Sequence, residues 1–338
     1  MIPTAGRRAN SESAQQVLRR AILPVRMGTF SRFRVASIYL AFGASLLFGQ
    51  ANGKLQIHFI DVGQGDGALM ISFRGETVLF DDGVSGICEK PVAYLQRLGV
   101  TKIDYHIASH YHADHIGCIS EILALFPLQK DALDRGGQYS TAVYTNYLKA
   151  IGAHRKTAEP GTQILLDATS KTPVLIDFVA SNGNGANTTN ENDLSLVAVV
   201  HFGKFDAEFG GDLSGYRTGS YEDIETGVAP KVGQIELYKV HHHCSQYSTN
   251  DAWLAVTKPI VGIVSVGDGN GYGHPTEKCL ERLHSAGVKT YWTERGAGAT
   301  PEPGHDFIAG SIVVEVDAAG ESFAVSRSGA TVDRYSVW

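Results

Sequence analysis

Ala108-Ser109-His110-Tyr111-His112-Ala113-Asp114-His115-Ile116-Gly117 decides how the rest of this chain is read. His110, His112, Asp114 and His115 form an H-x-H-x-D-H cluster, a spacing that can serve two metal ions at once. The mostly apolar run Ile103 to Ala108 before it reads as a buried strand, and Ile116 to Leu125 after it as a helix. The cluster therefore sits on a strand-to-helix turn, where side chains converge instead of alternating. Imidazole together with carboxylate suits zinc, manganese or iron.

Two ions need more ligands than the cluster holds, so others must come from the ends of other strands. Upstream, Leu55 to Ile60 alternates as a half-buried strand should, and Asp61 to Gly67 is a glycine-rich turn. Strands at Ala68–Phe73 and Thr77–Phe80 follow, then a helix at 91–98. Residues 127–190 are looser, with a helix at 144–151, strands at 163–166 and 174–179, and a polar loop at 181–190. Downstream, Leu194 to Phe202, the turn Gly203-Lys204 and Phe205 to Phe209 make a hairpin. Its register sets Asp212 beside Ser195, close to Asn192, and leaves His201 at the far end. Asp212, flanked by Gly210 and Gly211, is the best candidate for a bridging carboxylate. A strand at 237–240 runs into His241-His242-His243, at least one of which must point away from the core. His274, in a glycine-rich turn after the strand at 260–266, is a further candidate. A helix at 276–286 and strands at 312–316 and 322–325 complete the pattern. His58, His106, His154, His284 and His305 lack ligand-like neighbours.

The 338 residues, 43% of them hydrophobic, suffice for one large core or two modest ones. Residues 1–51 differ from the rest: Arg26, Arg32 and Arg34 precede the apolar run Val35 to Phe48, and Gly49-Gln50-Ala51 follows. This reads as a secretory signal peptide, or as a membrane anchor if uncleaved. Residues 52–338 read as one domain. Without the leader, which holds seven Arg and one Glu, the net charge is −12. Such a chain repels polyanions at long range, so charge does not support a nucleic-acid partner. Export would permit disulfides among Cys88, Cys118, Cys244 and Cys279, and Cys88–Cys118 is the preferred pair.

The cluster resembles the signature of the metallo-β-lactamase superfamily. Phe59 to Asp66, Asn192-x-x-Ser195-Leu196-Val197, Gly211-Asp212-Leu213, Lys239 to Ser245 and Asn270 to Pro275 follow in order. Together they are similar to the hydrolase domain of the competence protein ComEC and its stand-alone relatives. The resemblance implies an α/β fold, a four-layer αββα sandwich with the metal site at the edge between two mixed sheets. It implies two divalent ions, zinc with manganese as the alternative. His110 and His112 would hold one, Asp114 and His115 the other, Asp212 would bridge, and His242 and His274 would be the remaining histidines. Asn192 stands where the superfamily often has another histidine. Cys118 and Cys244 stand where the subgroup has glycine, which makes Cys118–Cys244 a rival pairing. No membrane channel accompanies the domain, so DNA transport by this chain alone is not expected.

The expected function is a secreted or periplasmic metal-dependent hydrolase in which a metal-bound hydroxide attacks a phosphodiester or related ester. Asp114 would orient the hydroxide, and His242 or His243 would protonate the leaving group. One alternative is a β-lactam, lactone or phosphorylcholine ester as substrate. Another is a non-catalytic, metal-stabilised binding module that recognises its target through the loop at 181–190.

Overall fold

A computed structural model describes residues 51–327 and 332–338. The expected leader at 1–51 lies, but for Ala51, outside the described residues. The chain first lays down β1 (Leu55–Phe59), β2 (Gly67–Ile71), β3 (Thr77–Asp82), β4 (Tyr105–Ile107), β5 (Ala132–Asp134) and β6 (Arg155–Thr157). It then builds a second sheet from β7 (Gln163–Leu166), β8 (Val174–Ala180), β9 (Val197–Phe202), β10 (Phe205–Phe209), β11 (Leu237–Lys239), β12 (Val261–Val264), β13 (Lys289–Trp292) and β14 (Asp306–Ile308). Finally β15 (Ile312–Val316), β16 (Ser322–Ser326) and β17 (Val332–Ser336) return to the first sheet, beside β1. Both sheets are mixed. β3 to β6 run parallel in one, and β10 to β14 in the other.

Helices α1 (Glu89–Arg97), α2 (Ala113–Ile116), α3 (Ile119–Leu125) and α4 (Ala142–Ile151) belong with the first sheet. Helices α5 (Glu225–Val232), α6 (Asp251–Thr257) and α7 (Glu277–Ser285) belong with the second. Three apolar clusters follow. Leu55, Ile57, Phe59, Phe178, Val200 and Ile263 fill the space between the sheets. Leu95, Ile122 and Tyr147 pack on Leu69, Ile71 and Leu79. Trp253, Leu280 and Leu283 pack on Val199, Tyr238 and Val264. Three interfaces make four layers, the αββα sandwich.

Covering both faces of each sheet corrects the reading of β1 as half-buried. All five of its residues are buried, because Gln56 and His58 lie beneath the helical layer instead of facing water. His58 Nδ1 is 3.0 Å from the Tyr94 hydroxyl, and burial lowers the imidazole to a pKa of about 4. The folded state therefore keeps this ring neutral, while the unfolded chain takes up a proton below pH ~6.5. Stability contributed above pH ~6.5 is lost as pH falls toward 4, to the extent of about 3 kcal/mol. His58→Gln should flatten that slope, read as the difference between urea midpoints at pH 7 and pH 4.5. An unchanged pH dependence would refute the assignment.

The disulfides are Cys88–Cys118 and Cys244–Cys279. The rival pairing Cys118–Cys244 is not formed, because Cys244 turns outward to α7 and Cys118 to the start of α1. The helix expected after the cluster begins earlier, at Ala113, and breaks at Gly117-Cys118 into α2 and α3. The parallel strands β3, β4, β10, β11 and β12 all deliver their C-terminal ends to one edge of the sandwich, the usual position of a site in α/β sheets.

Candidate metal centre

At that edge the next-to-last residue of β3 is Asp81, a non-glycine residue in the left-handed region (φ 49°). Such backbone strain concentrates at functional positions. Asp81 accepts hydrogen bonds from the Ser109 backbone N–H (2.7 Å) and the Ser109 hydroxyl (2.7 Å). It also takes the His115 Nδ1 proton at 2.8 Å, and Ser109 Oγ lies 3.0 Å from His110 Nδ1. One carboxylate and one hydroxyl thus occupy the Nδ1 side of two cluster histidines and aim both Nε2 atoms inward, as outer partners of metal-ligating histidines do. Beneath the turn, Glu191 accepts the Tyr111 N–H at 2.9 Å and is itself held by Arg135 at 2.7 Å. Tyr111 is therefore buried, and His110 and His112 project to the other side.

The hairpin register brings Asp212 to the cluster. Its N–H donates to Ser195 Oγ at 3.2 Å, and its carboxylate lies 3.3 Å from His115 Nε2 and 3.9 Å from His110 Nε2. Gly211 (φ 56°) permits this approach, since a Cβ there would come within 2.6 Å of Ser109. His201 pairs with Asp206 at the far end of the hairpin.

The three successive histidines divide. His241 is core, bracketed by Glu225 (2.8 Å) and Glu208 (3.1 Å). His242 and His243 take left-handed backbone (φ 48° and 53°) and turn into the site. His243 Nδ1 donates to the Ser265 carbonyl at 2.8 Å, which leaves Nε2 facing Asp114 at 3.4 Å and Asp212 at 3.5 Å. His242 Nε2 lies 3.8 Å from Asp212 and 3.2 Å from the Asn192 amide. His274 is one ring further out, 5.4 Å from His242 and 6.0 Å from His243 between centroids.

Among the described residues, three sets bring one ligand atom each within 4.8 Å of one another: His110, His112 and Asp212; Asp114, His115 and His243; and Asp66, His115 and Asp212. Asp212 serves two of them. His243, the alternative to His242, enters a set; His242 and His274 enter none. The donors suit a divalent ion. His115 Nε2, His243 Nε2 and Asp212 Oδ1 are buried and without a hydrogen-bond partner, while the opposite nitrogen of each ring is engaged. Asp66, Asp81 and Asp212 share one ammonium, Lys239, which pairs with Asp66, and Asp114 adds a fourth carboxylate to the site. Electrostatics record the surplus. Burial opposes charge on His243, yet Asp212 and Asp66 raise it to about 10. Burial likewise opposes charge on Asp212, but His243, His115 and His242 draw it well below the carboxylate range.

Sequence reasoning assigned no role to Asp81, Ser109, Asp66 or Lys239. Signals were present: Asp66 and Lys239 lie in stretches that carry the family resemblance, and Asp81-Asp82-Gly83 puts acidic residues at a strand end.

Residues 63–182 match the model of the metallo-beta-lactamase superfamily. Among curated proteins the chain is similar to Recombination protein 2 of Haemophilus influenzae, 29% identical over 245 residues that cover 71% of this chain and 28% of that protein. It is similar to ComE operon protein 3 of Bacillus subtilis, 22% identical over 261 residues, 71% of this chain and 32% of that one. The match spans less than a third of the length of either relative. Among solved structures it is similar to the metallo-beta-lactamase fold protein YhfI from Bacillus subtilis, with 15% identity, TM-score 0.44, and coverage of 73% of this chain and 99% of that chain. A metallo-beta-lactamase from Cronobacter sakazakii gives 14% identity, TM-score 0.38, and coverage of 53% and 75%.

Proposed function

We propose, from the premise that this chain is a member of the metallo-β-lactamase superfamily, that it is a secreted metal-dependent hydrolase of phosphodiesters or related esters. The observation that carries the reading is Asp212, one carboxylate common to two sets of ligand atoms drawn from different strands. His110, His112 and Asp212 would hold one divalent ion and Asp114, His115 and His243 a second, which Asp212 also reaches, at 3.3 Å from His115 Nε2 and 3.5 Å from His243 Nε2. Such ions, zinc or manganese, supply Lewis acidity and a water of lowered pKa.

The chain's own groups do the rest. Asp114, 24% exposed in its side chain, opens toward solvent and would orient the attacking water through its free oxygen. His242, 12% exposed, stands at the mouth with Asn192 on its Nε2; burial keeps the ring neutral, so it would take a proton from the attacking water and pass it to the leaving oxygen. His243 is spoken for on both nitrogens, by Ser265 and by the ligand set. Asp81 and Ser109 keep His110 and His115 in one orientation.

Similarity to a recombination protein favours a phosphodiester over a β-lactam, lactone or phosphorylcholine ester. The two disulfides support an oxidising compartment. A panel of nitrocefin, a lactone and p-nitrophenyl phosphodiesters tests the substrate. The metal-loaded protein should cleave the phosphodiesters. His242→Ala should lower kcat by about 100-fold with the ions retained, whereas His243→Ala should lose metal. Inactivity toward every phosphodiester, or equal metal loss in both variants, overturns the reading.

A further inference from the structure

Two turns carry the ligands of the Asp114, His115 and His243 set, one from each sheet, and each turn ends in a cysteine. Cys118 follows His115 by three residues, and Cys244 follows His243 directly. Neither turn is regular. The first breaks between α2 and α3, with the Cys118 N–H donating to Asp82 at 2.6 Å. The second places His242, His243 and Cys244 in succession in the left-handed region, at φ 48°, 53° and 62°. That conformation is unfavourable for residues with a Cβ and persists only where surroundings impose it.

The surroundings here are covalent. Cys118 is tied to Cys88 at the start of α1, with Cα atoms 5.3 Å apart, and Cys244 to Cys279 on the inward face of α7, at 5.5 Å. Thr276 adds two hydrogen bonds to the Cys244 carbonyl, from its N–H at 2.9 Å and its hydroxyl at 3.1 Å. The set His110, His112 and Asp212 draws on neither turn end. Ser109 holds His110 and Ser195 holds Asp212, while Glu191 holds the Tyr111 backbone between His110 and His112.

We propose that the two disulfides are positioning elements of the metal centre, and that they act on one ion position. The Asp114, His115 and His243 set depends on both crosslinks; the His110, His112 and Asp212 set does not. The inference rests on the two-ion reading above. Opening a bridge with a dithiol transfers two electrons and two protons to it, giving two cysteine thiols and the oxidised dithiol.

The test measures metal content after challenge with a chelator, and affinity by competition, in three proteins: the oxidised parent chain, Cys244→Gly with Cys279→Ala, and Cys88→Ala with Cys118→Ala. Glycine at position 244 accepts φ 62° without strain, so the first variant loses the crosslink and keeps the turn's allowed conformation. Both variants should fall from about two ions per chain to about one, with affinity at the lost position down about tenfold or more. Should a variant fail to fold, the folded parent chain is reduced with dithiol, thiols are counted by alkylation, and metal is measured alongside. Loss of one ion in step with thiol appearance supports the proposal. Retention of both ions at unchanged affinity with either bridge open overturns it. An oxidised parent chain that binds no metal overturns instead the reading of the centre on which this rests.

Discussion

Asp212→Ala should abolish retention of both ions and lower hydrolysis by more than about 100-fold, the upper end for loss of an outer partner alone. The expectation follows from sharing. Asp212 lies within ligand distance of His110 and His112 on one side and of His115 on the other, so its loss opens both positions at once. It also removes the charge that the His115 and His243 rings face at 3.3 and 3.5 Å. His201→Ala is the matched control. It sits on the same hairpin, pairs with Asp206 at 2.7 Å at the end away from the site, and should leave metal content and rate unchanged. Metal analysis after gel filtration reads the outcome. Two ions retained in Asp212→Ala would refute the shared-carboxylate geometry whatever the rate does.

That hairpin also shows what the sequence makes legible. Period-two alternation with Gly203-Lys204 at the turn fixes which residues oppose each other. Phe202 pairs with Phe205, and the same count puts Asp212 against Ser195. The H-x-H-x-D-H run is legible for a similar reason, since neighbours in sequence at a tight turn are neighbours in space. Groups that reach the site from distant segments are not. Asp81 looks like a strand terminator until β3 and β4 are paired, and only then does it meet His115, 34 residues on. α5 is not legible in the sequence, where Gly227 and Pro230 signal a break; it forms because Val228, Ala229 and Val232 find an apolar surface on the second sheet. The burial of β1 on both faces belongs to the same class, because alternation reports a side chain's direction and not what lies over it.

Lys239 is the extreme case, a lysine inside a strand whose neighbours are apolar. Its side chain is 4% exposed, its Nζ donates to the Gly211 carbonyl at 2.9 Å, and it pairs with Asp66 and lies 3.9 Å from Asp212. Burial opposes its charge, but Asp66 and Asp212 more than compensate and raise its pKa. It is the ammonium that holds the surplus of carboxylates together, and it joins the turn after β1 in one sheet to the end of β11 in the other. Lys239→Met leaves Asp66 buried without a counter-charge, which costs about 3–5 kcal/mol. For a domain of this size that is a fall in Tm of about 10 °C in the presence of chelator. Divalent metal should narrow the gap, because cations bound beside Asp66 and Asp212 replace the missing positive charge, and a ligand stabilises more strongly the form that binds it better. By the same linkage Lys239→Met should bind metal more tightly than the parent chain. Thermal melts of both proteins, with chelator and with excess zinc, give the four values needed. A Tm difference identical under the two conditions would mean that Lys239 braces the sheets without sensing the charge at the centre.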